Sequence, residues 1–164
     1  MKRLLVYIIF IFALLISFPR QAICQTEKIF NTKYSSIHYT SDKDINDFIW
    51  RLGGQKLELD SDSALVSNRV DRIVDRVENI LDIRPEHFKI DIYLRRLPLE
   101  SGRAAFYDNK TRSIYVLIDN VSDGVLAHEI GHAVIHQGLG VMLPSKMQEI
   151  LAQYVDKYLW GDYN

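Results

Sequence analysis

The stretch Ala127-His128-Glu129-Ile130-Gly131-His132-Ala133 sets two imidazoles four residues apart, with a carboxylate next to the first. On a helix, positions i and i+4 share one face about 5 to 6 Å apart at Cβ, so both rings can reach one ion. Glu129 then points beside that pair rather than at it. From there a carboxylate can take a proton from an activated water without joining the ligand set, which is the division of labour in the H-E-x-x-H pattern. The pattern is short, so the reading depends on two further features: a helix over residues 123–137, and a third ligand.

The helix is well signalled. Ser122 or Asp123 can cap its start, residues 125–137 contain no proline, and Gly138 and Gly140 offer left-handed stops. Val125, Leu126, Ile130, Ala133, Val134 and Ile135 make it apolar on nearly all sides, which predicts a buried helix. Two histidines and a glutamate in such a helix are costly without partners. The competing account is a core helix whose histidines merely hydrogen-bond to backbone.

His136 is a poor third ligand, because it lies eight residues from His128, about 12 Å along a continuous helix. One zinc with bonds of about 2.0 to 2.1 Å cannot collect all three histidines. The metzincin pattern needs a glycine and a histidine three and six residues past the second ligand, and here those positions hold Ile135 and Gly138. His136 is therefore expected near the helix end or in the wall of a cleft.

Glu149 is the better candidate. Residues 143–154 read as the opening of a second helix, with Ser145 as N-cap and Gln148 completing a capping box. Ile150, Leu151, Tyr154, Val155, Tyr158 and Leu159 are expected on one face; Glu149, Ala152, Gln153 and Asp156 fall on the other. The small Ala152 would let that second face approach the first helix, with Gln153 or Asp156 orienting an imidazole. In isolation Glu149 is equally an ordinary first-turn acid favoured by the helix dipole. Beside the upstream motif, the ligand reading prevails.

Together, His128-Glu129-Ile130-Gly131-His132 and Gln148-Glu149-Ile150-Leu151-Ala152-Gln153-Tyr154 resemble the gluzincin branch of zinc metallopeptidases, whose members carry a glutamate ligand on a second helix. Ala152 and Tyr154 match the Asn-Glu-Gly-x-Ala-x-Tyr type of segment, with Gln148 in place of the asparagine. The resemblance implies zinc held by His128, His132 and Glu149, with Glu129 as general base. Sixteen residues separate His132 from Glu149, fewer than in the best-known members, so the connection over 138–144 must be tight. Gln153 stands where thermolysin-like members place an aspartate. The resemblance covers roughly residues 104–160. Fifteen residues follow Glu149, so no counterpart is expected of the large C-terminal subdomain that supplies an oxyanion donor in bigger members. Tyr107, Tyr115, Tyr154, His38 and Arg103 are the available candidates for that donor, and each is also a plain structural residue.

The N-terminus bears on where the chain works. Lys2 and Arg3 precede a fifteen-residue apolar run over 4–18, and Ala22-Ile23-Cys24 offers small residues at a cleavage site. A helix of that length spans about 22 Å, short of the roughly 30 Å hydrocarbon core. Residues 1–24 are thus expected to be a cleaved signal peptide rather than a retained anchor, and the chain secreted, periplasmic or otherwise extracytoplasmic. Cleavage after Cys24 removes the only cysteine, so no disulfide is expected. Residues 25–164 form one domain by length. With 17 basic against 21 acidic side chains they carry a net charge of about −4, which disfavours nucleic acid as a partner. Membrane contact is expected only if the N-terminal segment is retained.

The rest reads as an α+β scaffold with a small mixed sheet, helices on one side, and the two metal-bearing helices last. A strand is expected over 36–40, and a helix capped by Ser41 carries Ile45, Phe48, Ile49 and Leu52. Residues 53–62 read as a loop. A long amphipathic helix follows over about 62–82, with a solvated face of Arg69, Asp71, Arg72, Asp75 and Arg76. Phe88, Ile90, Ile92 and Leu94 alternate as a strand, and residues 104–118 read as a hairpin turning at 108–111. Zincins resemble this layout, and in them an edge strand above the metal helix pairs with extended peptide; the hairpin is the place expected to do so. The expected activity is peptide-bond hydrolysis on a peptide or protein substrate. The alternatives are a weak or inactive peptidase-like protein that binds zinc and peptide, and a membrane-anchored structural protein with a chance motif.

Overall fold

The computed structural model describes residues 26–53, 59–99, 102–159 and 161. The segment expected to be cleaved, 1–24, lies outside the described residues. Among the described residues no helix is long and apolar enough to cross a membrane.

Five strands form one sheet: β1 (Lys28–Asn31), β2 (Ser35–Tyr39), β3 (Ile90–Arg95), β4 (Ala105–Asp108) and β5 (Ser113–Leu117). Their order is β1-β2-β3-β5-β4. β2, β3 and β5 run parallel, while β1 and β4 close the two edges antiparallel to their neighbours. The mixed sheet follows from the connections: β1–β2 and β4–β5 are short hairpins, and β2 reaches β3 only through helices α1 (Asp42–Arg51) and α2 (Leu59–Leu81). Of the loop expected over 53–62, residues 54–58 lie outside the described set and Leu59 onward is already helical.

Strand alternation divides the sheet into two faces. Ile37, Ile92, Leu94, Ile114 and Val116 are buried against Phe48, Ile49, Ile73 and Val77 of the helices. His38, Tyr93, Tyr115 and Phe106 lie on the other face, which no described helix covers.

The charged face expected on α2 is not simply solvated. Asp71 accepts the backbone N–H groups of Lys33 and Tyr34 in the β1–β2 turn, and Asp75 accepts the Tyr34 hydroxyl at 2.5 Å. Arg69 pairs with Asp123, and Arg76 Nε donates to the Leu159 carbonyl at 2.5 Å. These residues hold the neighbouring elements in place, a role that helical periodicity alone does not reveal.

After β5 a short 3-10 turn, Ile118–Asn120, leads into α3 (Asp123–Gly138) and then α4 (Ser145–Tyr158). Ser122 caps α3, its hydroxyl accepting from the Val125 N–H at 3.3 Å. Gly138 is the last residue of the helix rather than a left-handed stop, and Leu139 follows as C-cap. A Cβ at Gly138 would come within 2.3 Å of Ile83, so this glycine serves close packing. In α4 the expected capping box is absent. Pro144 is the N-cap, Ser145 already lies inside the helix, and the Gln148 amide instead donates to the Leu143 carbonyl at 2.6 Å. The expected faces also need correction: Ala152, Val155 and Leu159 are buried, whereas Ile150, Tyr154 and Tyr158 are exposed.

Candidate metal centre

Helix α3 is buried through Leu126, Ala127, Ile130, Ala133, Val134 and Ile135, which leaves one polar stripe facing outward. His128 and His132 share that stripe, their rings 4.9 Å apart and nearly perpendicular. Helix α4 crosses close by, because Gly131 lies against Ala152: a Cβ at position 131 would be 3.6 Å from the Ala152 Cα. Two small residues at the contact let the helices approach, and the approach carries Glu149 to the histidines. Its carboxylate faces both rings, with Oε1 3.3 Å from His128 Nε2 and Oε2 3.4 Å from His132 Nε2.

The three residues offer donor atoms within 4.8 Å of one another. Donors at about 2.0 to 2.2 Å around a tetrahedral ion lie about 3.3 to 3.6 Å apart, so the carboxylate-to-imidazole separations suit a small ion. Two imidazoles and one carboxylate are borderline donors that accept zinc among other divalent metals. Burial holds the His132 imidazole below its ordinary pKa, the neutral form that ligation requires.

Glu129 occupies a different position. Its Oε2 accepts the backbone N–H of Tyr107 on β4 at 2.8 Å. Burial is the largest influence on its carboxyl and pushes the pKa above the usual carboxylate range, against the opposing effects of His128 and the Tyr107 N–H. The cleft here has a volume of about 660 Å³, and Arg103, Tyr107, His136, Met142 and Gln148 line it together with the four motif residues.

Hydrogen-bond parity places β4 in relation to the cleft. The Leu117 N–H donates to the Ala104 carbonyl, so Ala104, Phe106 and Asp108 turn their backbone groups toward β5. Ala105 and Tyr107 turn theirs to the free edge, where Glu129 takes the Tyr107 N–H. A second cavity shares Arg103, His128 and Glu129 with the first and continues past Ala104 and Ala105. The two form a groove along the strand edge.

The other candidates distribute as follows. His136 is in the cleft wall, its Nδ1 3.1 Å from the Tyr107 hydroxyl, with no part in the donor cluster. Arg103 and Tyr107 line the cleft, but Tyr115 and His38 lie on the opposite face of the sheet and Tyr154 is exposed on α4. Gln153 is exposed, and Asp156 rests against Gly124. Neither reaches a ligand imidazole through a hydrogen bond among the described residues. The contact between the Tyr107 backbone and Glu129 is not legible in the sequence, because it needs both the parity of the hairpin and the place of β4 at the sheet edge.

No protein-family model, no curated protein and no solved structure matches this chain.

Proposed function

We propose that this chain is a zinc-dependent metallopeptidase of zincin-like build that works outside the cytoplasm. The observation that carries the reading is the convergence of His128, His132 and Glu149, from two helices, on one small volume beside a partly buried carboxylate. Zinc held by these three residues would supply Lewis acidity, polarising a scissile carbonyl and making water a competent nucleophile at neutral pH.

Everything else is done by the chain. Glu129 takes the proton of the attacking water and returns it to the departing amine; the Tyr107 N–H fixes Oε2, which leaves Oε1 for that proton. Its placement beside the donor cluster, partly buried and held by one backbone N–H, keeps the carboxylate aimed at the cleft. Substrate is held extended along β4, pairing with the N–H and C=O of Ala105 and the C=O of Tyr107. Arg103 or the Tyr107 hydroxyl donates to the developing oxyanion; both line the cleft.

The test is proteolysis of a mixed peptide pool by zinc-loaded protein beside a Glu129→Gln variant. Cleavage by the parent and a loss of about 100- to 10,000-fold in the variant is the expected result. Equal cleavage by both would refute the assignment of Glu129, and cleavage by neither would favour a zinc- and peptide-binding protein without turnover.

A further inference from the structure

One aromatic ring from each of four adjacent strands stands on the uncovered face of the sheet. His38 on β2, Tyr93 on β3, Tyr115 on β5 and Phe106 on β4 are directly paired in the strand register. Their rings stack in sequence with centroids 4.3, 5.2 and 4.9 Å apart and planes within 19° of parallel. The spacing is close to the strand separation of about 4.8 Å, so the ladder advances one ring per strand. It stops at Phe106 because β4 is the last strand. Among the described residues no ring stacks on the outer side of Phe106.

That outer side is also the side on which a peptide would lie. Phe106 turns its N–H and C=O toward β5, so a residue opposite it in an antiparallel peptide forms a non-hydrogen-bonded pair, the kind whose side chains approach most closely. Its side chain must project onto the same face as Phe106, since alternation allows no other choice. Phe106 and Tyr115 also border a cavity of about 790 Å³ that runs inward past Leu94 to Thr40 and Asp44, so this face is open beside the ladder rather than packed.

We propose that Phe106 forms a specificity subsite, and that a peptide bound along β4 completes the ladder with an aromatic side chain stacked on its ring. This rests on the peptidase reading and specifies its substrates: extended peptides carrying Phe, Tyr or Trp within about two residues of the bond beside Glu129. An aromatic pair contributes enough beyond simple burial to give a preference of about three- to tenfold over an aliphatic residue.

Two measurements on the full chain test this. In the first, zinc-loaded protein cleaves a randomised synthetic peptide library and cut positions are read by mass spectrometry. One position is expected to show about three- to tenfold aromatic enrichment. That enrichment should vanish in Phe106→Leu, which keeps apolar bulk, and persist in Tyr93→Leu, which disturbs the ladder away from the edge. In the second, fluorescence anisotropy follows Glu129→Gln binding to labelled Ala/Ser peptides in which one Phe is stepped along the chain; one placement is expected to bind tightest, and only with Phe106 intact. Cleavage without aromatic enrichment, or enrichment that survives in Phe106→Leu, overturns the subsite and leaves the peptidase reading standing. Position-dependent Phe binding with no cleavage by any form supports the subsite and counts against the peptidase reading. Absence of both cleavage and such binding rejects the two together.

Discussion

Glu149 and Glu129 are two carboxylates within one cleft, and their surroundings separate their roles. Glu149 is half exposed and faces two imidazoles, as a ligand would. Glu129 is more deeply set and held by a backbone N–H, as suits a base. Replacing Glu149 by Ala should therefore weaken zinc binding by about a hundredfold or more, measured by competition with a chromophoric chelator. Glu129→Gln should retain zinc at close to the parent affinity while losing turnover. An equal loss of zinc in both variants would mean that the two carboxylates have been assigned to the wrong roles. The motif residues were legible in the sequence because i, i+4 spacing fixes geometry on any helix. The Tyr107 contact was not, since it depends on which backbone groups of a strand face outward.

At the scale of elements, the contact between α3 and α4 determines whether the three donors meet. Gly131 and Ala152 set that distance. Gly131→Ala should be neutral or stabilising by up to about 1 kcal/mol, because its Cβ meets only ordinary contacts and alanine favours the helix. Gly131→Leu should cost about 1 to 3 kcal/mol by overpacking and should weaken zinc binding, because it moves Glu149 away. Chemical denaturation with metal titration of both variants checks this; unchanged zinc affinity in Gly131→Leu would show that the helices do not hold the site together. The start of α1 makes a separate prediction. Burial alone would raise the Asp44 carboxyl, but hydrogen bonds from Thr40, Arg96 and Ser41 hold it below its ordinary value of 3.8. A depressed folded-state pKa means that the stabilisation is complete above about pH 4 and lost as pH falls through the folded value. Asp44→Asn should cost about 1 to 2 kcal/mol at neutral pH, a modest figure because Arg96 reaches solvent, and the gap to the parent should narrow below about pH 4. Urea melts across that range decide it. The capping of α1 by Ser41 was readable from sequence. In α4 the Ser145 and Gln148 pattern misled, because the proline at 144, already a common helix-start residue, took the cap position and Gln148 found a carbonyl instead.

At the scale of the molecule, the order β1-β2-β3-β5-β4 puts β4, the first strand of the second hairpin, at the sheet edge, directly above α3. The α+β class and strands β2 to β5 could be read from alternation and turn residues, whereas β1, the exposed edge strand Lys28–Asn31, lacks a clean alternation and is not expected from it. The place of β4 at the other edge could not be read, because strand order depends on how β3 and β5 pair across an intervening β4, and local pattern carries no trace of that. The same limit hid the ladder of His38, Tyr93, Tyr115 and Phe106, which exists only once four strands are in register. Zinc binding to the folded chain alone should add about 2.7 kcal/mol of stability at a hundredfold excess over its dissociation constant, seen as a rise of several degrees in thermal midpoint. That rise should be absent in Glu149→Ala. The central claim is that His128, His132 and Glu149 hold one zinc, and the most direct measurement is the metal content of full-length protein purified without chelators, by elemental mass spectrometry. The account predicts one zinc per chain in the parent and in Glu129→Gln, and little in Glu149→Ala; a parent that carries no zinc and takes up none on addition would contradict it.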